Sequence, residues 1–207
     1  MSLWDHRLGD VLADTASSRP TPGGGSVAAV CGALGAGLVA MALEISRGKA
    51  TPEAGARIDQ VLDATKQLLV ALRDHADRDV AVFEGYLQAL ALPRTTEEDQ
   101  ATRQAARSAA AVAATEAPLA CAADLVAVLA LAEAAGAVAR SQVLSDVAAG
   151  ADLLIGALHA VLRNVDINLP SIAADELRDR LGRRRAEVAR QGEEVYHRVA
   201  SAVALRA

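Results

Sequence analysis

The chain enters its most apolar run, residues 27–43, through the stretch Pro20-Thr21-Pro22-Gly23-Gly24-Gly25-Ser26. The prolines stiffen the approach, and the glycines remove every Cβ atom where the chain turns. Ser26 is a favoured N-cap residue, so a helix is expected to begin there. The stretch is therefore either a tight turn before a buried helix, as most glycine runs are, or a cradle whose backbone N–H groups face an anion or carbonyl at a helix N-terminus.

Composition favours one domain over residues 1–207, since this length is enough for one sizeable core. Hydrophobic residues make up 52% of the chain but aromatic residues only 2%. The core must therefore consist of alanine, valine and leucine, and its elements must approach one another closely. The net charge of -5 argues against a nucleic-acid-binding protein, which usually carries a basic patch.

The two cysteines, Cys31 and Cys121, lie in apolar, alanine-rich stretches. They are interpreted as small buried hydrophobic residues of a cytoplasmic, reducing compartment. No Cys/His group has the spacing of a zinc site, so no metal is expected. No cofactor is expected either. The polar start, residues 2–7, is unlike a secretory signal.

The uncharged run over residues 27–43 raises the question of a membrane span. It is slightly shorter than the roughly 20 apolar residues a span needs, and it is rich in alanine and glycine. Asp124 and Glu133 interrupt the next apolar stretch, so no second clean span is expected. A buried helix is preferred, and no membrane partner is predicted. Gly32, Gly35 and Gly37 would suit close helix–helix contact, within the chain or across a dimer.

The periodicity of apolar residues predicts an all-α, single-domain helical bundle with long helices. Helices are expected at about residues 3–16, 26–47, 51–92, 95–135, 145–164 and 176–203. Gly48 should end the second, Thr51-Pro52 should begin the third, and Gly136 should follow the fourth. Pro118 is expected to kink or break the fourth helix.

One carboxylate lies on an apolar helix face. Along the third helix, Leu72, Ala76, Asp79, Phe83 and Tyr86 follow at spacings of three and four, so they share one side. A carboxyl group in apolar surroundings holds its proton more tightly than in water, which suits general acid–base work. An ion pair between Asp79 and an arginine, with a purely structural role, is an equally good interpretation. The neighbouring Asp77 points away and is interpreted as a surface acid.

A second set of polar residues occurs late in the chain. Ser145 is expected to cap a helix whose first turn contains Asp146. Asn164 and Asn168 would share a face if the helix continued, and they would share one with Asp166 if the segment were extended. Their amides would suit the polar edge of a heterocycle. Simple helix termination by asparagine and proline is the alternative. Lys49 is either a helix-end cation or a contact for a carboxylate-bearing ligand.

Taken in order, these segments resemble the formiminotetrahydrofolate cyclodeaminase / methenyltetrahydrofolate cyclohydrolase family over nearly the whole chain. The resemblance rests on residues 20–29, on Gly32-Ala33-Leu34-Gly35-Ala36 and Gly48-Lys49, on Asp79, Phe83 and Tyr86, on residues 92–98, and on Pro118-Leu119, Ser145-Asp146 and residues 164–169. Any one of these segments would be a weak signal.

The resemblance implies an all-helical homodimer that acts on a tetrahydrofolate derivative. The implied reaction is release of ammonia from N5-formiminotetrahydrofolate, hydrolysis of 5,10-methenyltetrahydrofolate to 10-formyltetrahydrofolate, or both. Asp79 matches the family's catalytic aspartate. Substrate contacts are expected from Pro22, Gly23, Gly24, Gly25, Ser26, Lys49, Phe83, Ser145, Asp146, Asn164 and Asn168.

Three positions depart from the family pattern. Ala50 follows Gly48-Lys49 where the family often has further lysines, Ala81 replaces an acid common two residues after the catalytic aspartate, and Leu144 replaces an arginine of some members. The first two departures motivate an alternative, a non-catalytic helical protein that binds folate or a partner on the same scaffold.

Overall fold

The computed structural model describes residues 2–206, and these form a bundle of long α-helices. The helices are α1 (Leu8–Thr15), α2 (Gly24–Arg47), α3 (Pro52–Ala91), α4 (Glu97–Val138), α5 (Leu144–Asn168) and α6 (Asp175–Ala204). Short 3₁₀ helices lie at Leu3–Asp5, Ser141–Val143 and Leu169–Ser171. No strand occurs among residues 2–206, so the predicted all-α class is confirmed.

Helix α2 lies between α3 and α5, while α4 packs against α3, α5 and α6. The core is aliphatic, as the composition predicted, because alanine, valine and leucine supply most of its buried side chains. Its largest fully buried residues include Leu43, Leu72, Leu125, Leu129, Leu154 and Leu158. The fold therefore depends on close contact between helices rather than on large aromatic side chains.

Glycines allow the backbones of α2 and α5 to approach each other closely. A Cβ atom on Gly35 would lie 2.8 Å from the Gly150 carbonyl oxygen, and a Cβ on Gly150 would lie equally close to the Gly35 carbonyl oxygen. No residue from 2 to 206 has a positive φ. These glycines are therefore required by the short distance between two backbones and not by a left-handed conformation.

We expect Gly35→Ala to destabilise the protein by ~1–3 kcal/mol, because rigid backbone opposes the new methyl group. Thermal denaturation followed by circular dichroism measures this as a fall of ~2–4 °C in Tm per kcal/mol for a chain of this size. The matched control is Gly55→Ala, where a Cβ would meet nothing within 4 Å. An unchanged Tm for Gly35→Ala would contradict the close contact.

Two serines expected as helix N-caps do not have that role. Helix α2 begins at Gly24 with Gly23 as its N-cap, and Ser26 lies inside the first turn. Helix α5 begins at Leu144 with Val143 as its N-cap, so Ser145 caps nothing. In both places the helix begins earlier than the best capping side chain. At Ser26 the reason is visible, since its side chain is bonded to another helix instead.

Helix α4 runs through Pro118 without a break, contrary to expectation. A proline has no N–H group and leaves the carbonyl four residues earlier without its helical partner. That carbonyl belongs to Ala114, and the Asn168 side chain donates to it from Nδ2 at 2.8 Å. An amide from α5 thus replaces the missing helical hydrogen bond. Gly136 is also inside α4, which ends at Val138.

The first predicted helix is divided into the 3₁₀ turn and α1. Asp77 of α3 accepts hydrogen bonds from Ser2 Oγ at 2.6 Å and from Leu3 N at 2.7 Å. The interpretation of Asp77 as a surface acid is therefore wrong, because it anchors the start of the chain. Helix α1 itself buries no residue, and both Leu8 and Leu12 are exposed.

Within residues 2–206, three helical segments are long and apolar enough to cross a membrane by length and composition: Gly24–Arg47, Glu97–Val138 and Ser141–Ser171. The expectation of no second clean span is therefore wrong, because a few acids spread along a long helix still leave an apolar window. In this fold the three segments pack against one another, and about half of each apolar window is buried.

Candidate functional site

A cavity of about 460 Å³ lies at the N-terminal end of α2. The proline-glycine segment forms one wall, and α3, α4 and α5 supply the others. Its lining includes Pro20, Thr21, Gly23, Gly24, Asp79, Val82, Phe83, Tyr86, Ala114, Pro118, Asn164, Ile167, Asn168 and Ser171. Segments far apart in sequence therefore meet here, and most of them are ones that the sequence had singled out.

Asp79 is held at this cavity by Ser26. Its Oδ2 accepts a hydrogen bond from the Ser26 backbone N–H at 2.8 Å and another from Ser26 Oγ at 2.7 Å. Ser26 is fully buried, whereas Asp79 is half-buried. No hydrogen bond from residues 2–206 ends on Oδ1, so one carboxylate oxygen is fixed by α2 and the other is available to a ligand.

No arginine or lysine from 2 to 206 makes an ion pair with Asp79. The structural ion pair, which was the alternative for this residue, is therefore absent from the described part of the chain. A backbone N–H and a hydroxyl group of Ser26 hold the carboxylate in place instead. The arrangement suits a group that stabilises a cation or exchanges a proton with a ligand.

Gly25 is the point of closest packing in the site. The space that a Cβ would fill at Gly25 is already occupied by the Asp79 carboxylate and the Asn164 amide. These two side chains therefore approach the bare backbone of α2 from α3 and α5. The glycine is needed so that a carboxylate and an amide can converge beside a helix N-terminus.

The two late asparagines have different surroundings. Both lie on α5 and both line the cavity. The structure thus shows the case in which the helix continues through both asparagines. Asn168 donates to the Ala114 carbonyl and is partly committed to the structure. Asn164 makes no hydrogen bond within residues 2–206, so its half-buried amide is free for a ligand.

Aromatic rings line one wall of the cavity. Phe83 and Tyr86 are half-buried on the same face of α3 as Asp79. Among the described residues this wall contains two of the four Phe, Tyr and Trp side chains of the chain. A flat ring system can pack on such a wall while its polar edge faces Asp79 and Asn164.

The remaining predicted site residues lie elsewhere. Pro22 lines a different, adjacent cavity together with Asp77. The proline-glycine segment separates this cavity from the Asp79 cavity. Lys49 and Ser145 are exposed, and Asp146 is half-buried. All three lie at the opposite end of α2, because Arg140, just before α5, donates its N–H to Ser46 Oγ near the end of α2. Within one chain they do not meet Asp79.

The sequence analysis missed a polar group directly behind the cavity. His75 lies one helical turn before Asp79, and its Nε2 is 2.8 Å from Asp124 Oδ2 on α4. Both His75 and Asp79 line a small void that also touches Cys121. The spacing of four residues from Asp79 was the signal that could have identified His75.

Cys121 is not a nucleophile of this site. Burial raises the pKa of its thiol to about 12, and the negative charges of Asp124 and Asp79 add to the effect. It therefore stays protonated near neutral pH. No group of three His, Cys, Asp or Glu side chains suited to a metal ion occurs among the residues described.

Comparison with known proteins leads to the same family that the sequence resembles. The family model described as Formiminotransferase-cyclodeaminase matches residues 7–187. A methenyltetrahydrofolate cyclohydrolase of Methylorubrum extorquens is 34% identical over 91% of this chain and 93% of its own length. A formimidoyltransferase-cyclodeaminase of Sus scrofa is 29% identical over 88% of this chain, which spans only 34% of that longer protein.

A solved structure shares the fold. The crystal structure of formiminotetrahydrofolate cyclodeaminase from Thermotoga maritima superimposes with a TM-score of 0.86 and 23% identity, covering 98% of both chains. The bundle described above is thus found in an experimental structure. The extent of the family match, together with the relative of similar length, shows that the chain belongs to the formiminotransferase-cyclodeaminase family.

Proposed function

We propose that this protein is a one-carbon folate enzyme acting on the carbon that joins N5 and N10 of tetrahydrofolate. The reaction is hydrolysis of 5,10-methenyltetrahydrofolate to 10-formyltetrahydrofolate, cyclisation of N5-formiminotetrahydrofolate with release of ammonia, or both. The observation that carries the proposal is Asp79, held by Ser26 at a cavity of suitable size with one carboxylate oxygen available. The cyclohydrolase relative of matching length supports it.

In the hydrolytic direction, water adds to the cationic methenyl carbon and forms a new C–O bond. Asp79 accepts the proton that this water loses. The bond between the carbon and N5 then breaks as N5 takes up this proton from Asp79. The new hydroxyl group loses its remaining proton to solvent as the C=O bond forms, and the formyl group remains on N10. Anionic Asp79 also attracts the cationic substrate into the cavity, which favours binding and not the chemical step itself.

In the cyclising direction the formimino group reacts in its protonated, amidinium form. N10 attacks its carbon, closes the ring and leaves the terminal nitrogen as an NH2 group. The bond from this carbon to its terminal nitrogen breaks, and the nitrogen leaves as ammonia after taking up a proton. Asp79 relays the proton lost from N10 to the departing nitrogen. One carboxylate therefore serves either reaction through a tetrahedral centre at the same carbon.

The rest of the cavity supplies binding. The ring system packs against Phe83 and Tyr86, and the Asn164 amide meets its polar edge. In the first turn of α2, the Ser26 N–H is used by Asp79 and the Val27 N–H by the Gly23 carbonyl. The N–H group of Gly24, which lines the cavity, has no helical partner, so it is assigned to a substrate oxygen or anion.

Purified protein given each substrate separately tests this function. We expect methenyltetrahydrofolate absorbance to fall during hydrolysis, or to rise as formimino substrate is cyclised with release of ammonia. Comparing kcat/KM for the two substrates identifies the main reaction. Folate binding by calorimetry with no turnover of either substrate would contradict an enzyme and support the non-catalytic alternative.

A further inference from the structure

The Asp79 cavity adjoins a smaller polar cleft along the line where α3 and α4 meet. Cavity and cleft share Tyr86 of α3 and Ser171, and the cleft has a volume of about 90 Å³. Its other lining residues are Gln104, Arg107, Ser108 and Ala111 of α4 and Ala173, which precedes α6. The two spaces together form what we call the trough, with Asp79 towards one end and Arg107 at the other.

The trough follows one face of α4. Its lining residues on this helix recur at spacings of three and four: Gln104, Arg107, Ala111, Ala114 and Pro118. Arg103 Nη2 donates to the Leu90 carbonyl oxygen of α3 at 2.9 Å. That bond joins α3 one turn after Tyr86 to α4 one turn before Arg107. The two helices are therefore antiparallel, and Tyr86 lies opposite Arg107.

The cleft contains hydrogen-bond donors that the described part of the chain does not use. Arg107 is exposed and makes neither an ion pair nor a hydrogen bond within residues 2–206. The side chains of Gln104 and Ser108 beside it are likewise unpaired within those residues. No aspartate or glutamate lines the cleft, so no carboxylate of the lining competes for the guanidinium group. Such a site suits an anionic oxygen ligand.

We propose that this cleft binds the carboxylates of the substrate's glutamate tail, with Arg107 as the cation that receives them. The inference rests on the proposed function, in which Asp79 meets the carbon between N5 and N10. No lysine or arginine lines the Asp79 cavity itself, so the positive charge for the tail comes from the adjoining cleft. The guanidinium group can donate two parallel N–H bonds to one carboxylate.

Charge and length both fit this orientation. The cationic end of the substrate lies against the Asp79 carboxylate and its anionic tail against Arg107. Asp79 and Tyr86 are seven residues apart on α3, and Pro118 and Arg107 are 11 apart on α4, which correspond to ~10 and ~16 Å of helix. At ordinary bond lengths, the aminobenzoyl group puts the glutamate carboxylates on the order of 10 Å from N10. The tail therefore reaches the cleft.

Kinetics with and without the glutamate tail test the subsite. The substrates are 5,10-methenyltetrahydrofolate and 5,10-methenyltetrahydropteroate, which lacks the glutamate; the matching formimino pair replaces them if cyclisation is the main reaction. We expect Arg107→Gln to raise KM about tenfold for the glutamate-bearing substrate with little change in kcat, because the tail is bound equally in ground and transition states. The increase should disappear with the pteroate substrate, which has no tail to lose.

Two further variants sharpen the result. Arg184→Gln is the matched control, because Arg184 is exposed on α6 and lines neither the cavity nor the cleft. It should leave KM unchanged for both substrates. Arg107→Lys keeps the charge without the two-pronged donor, so its KM for the glutamate-bearing substrate should be intermediate. Circular dichroism should show intact helices in every variant, since Arg107 has no partner to lose.

The outcomes separate failure of the subsite from failure of the proposed function. If Arg107→Gln raises KM by the same factor for both substrates, or for neither, the subsite is overturned and the function stands. If wild-type protein turns over no substrate, the function is contradicted, and calorimetry tests the cleft separately. 5-Formyltetrahydrofolate should then bind the wild type about tenfold more tightly than Arg107→Gln, and 5-formyltetrahydropteroate should bind both equally. Absence of that difference would overturn the subsite.

Discussion

We expect Asp79→Asn to lower kcat/KM by about 10²–10⁴-fold, the usual contribution of a positioned acid–base group. The amide is nearly isosteric and still accepts a hydrogen bond from the Ser26 N–H, so the helices should remain packed. It neither carries charge nor exchanges a proton at neutral pH. Steady-state kinetics and thermal denaturation of the same preparation measure the two effects separately.

Asp74→Asn is the matched control for this substitution. Asp74 is exposed on the same helix and makes no hydrogen bond within residues 2–206. Its change should leave kcat/KM within experimental error. Ser26→Ala provides a graded case, since Asp79 then loses one of its two hydrogen bonds but keeps its charge. Wild-type turnover by Asp79→Asn would remove the assigned role.

The second large effect is expected from Gly25→Ala. The new methyl group occupies the place of the Asp79 carboxylate and the Asn164 amide, so both must shift. Displacement of reacting groups by about 1 Å can cost on the order of 10²-fold in rate. Both obstacles are ends of side chains and not backbone, so stability should change little while kcat/KM falls.

Gly85→Ala is the control for this loss of activity. Gly85 lies on the same helix as Asp79, and a Cβ there would meet nothing within 4 Å. We expect unchanged kinetics and a gain of roughly 0.5–1 kcal/mol in stability from higher helix propensity. A similar loss of activity in both variants would show that the packing at Gly25 is not the cause.

Helical periodicity was sufficient for the fold class, because the apolar residues of each long segment recur at spacings that only a helix places on one side. The boundaries were less accurate. Pro118 was expected to break a helix, yet an asparagine 50 residues later in the chain satisfies the carbonyl that the proline leaves free. A long-range contact of this kind leaves no local signal in the sequence.

The candidate site could likewise be predicted only where the signal is local in the sequence. Asp79 was selected from its position on an apolar face, and the proline-glycine segment from its composition. The hydrogen bond from the Ser26 side chain to Asp79 was not foreseen, since a serine at a helix start is ordinarily interpreted as a cap. His75 behind the cavity was missed because its partner Asp124 belongs to another helix.

By itself the sequence determined that the chain forms long helices with an aliphatic core, since periodicity and composition are properties of each segment alone. Only the tertiary structure decided which polar residues meet. It brings Asp79, Ser26 and Asn164 together at a glycine without a Cβ, and it places Lys49 and Asp146 a helix length away. The physical reason is that convergence depends on the direction and close approach of whole helices, which spacing along one segment does not specify.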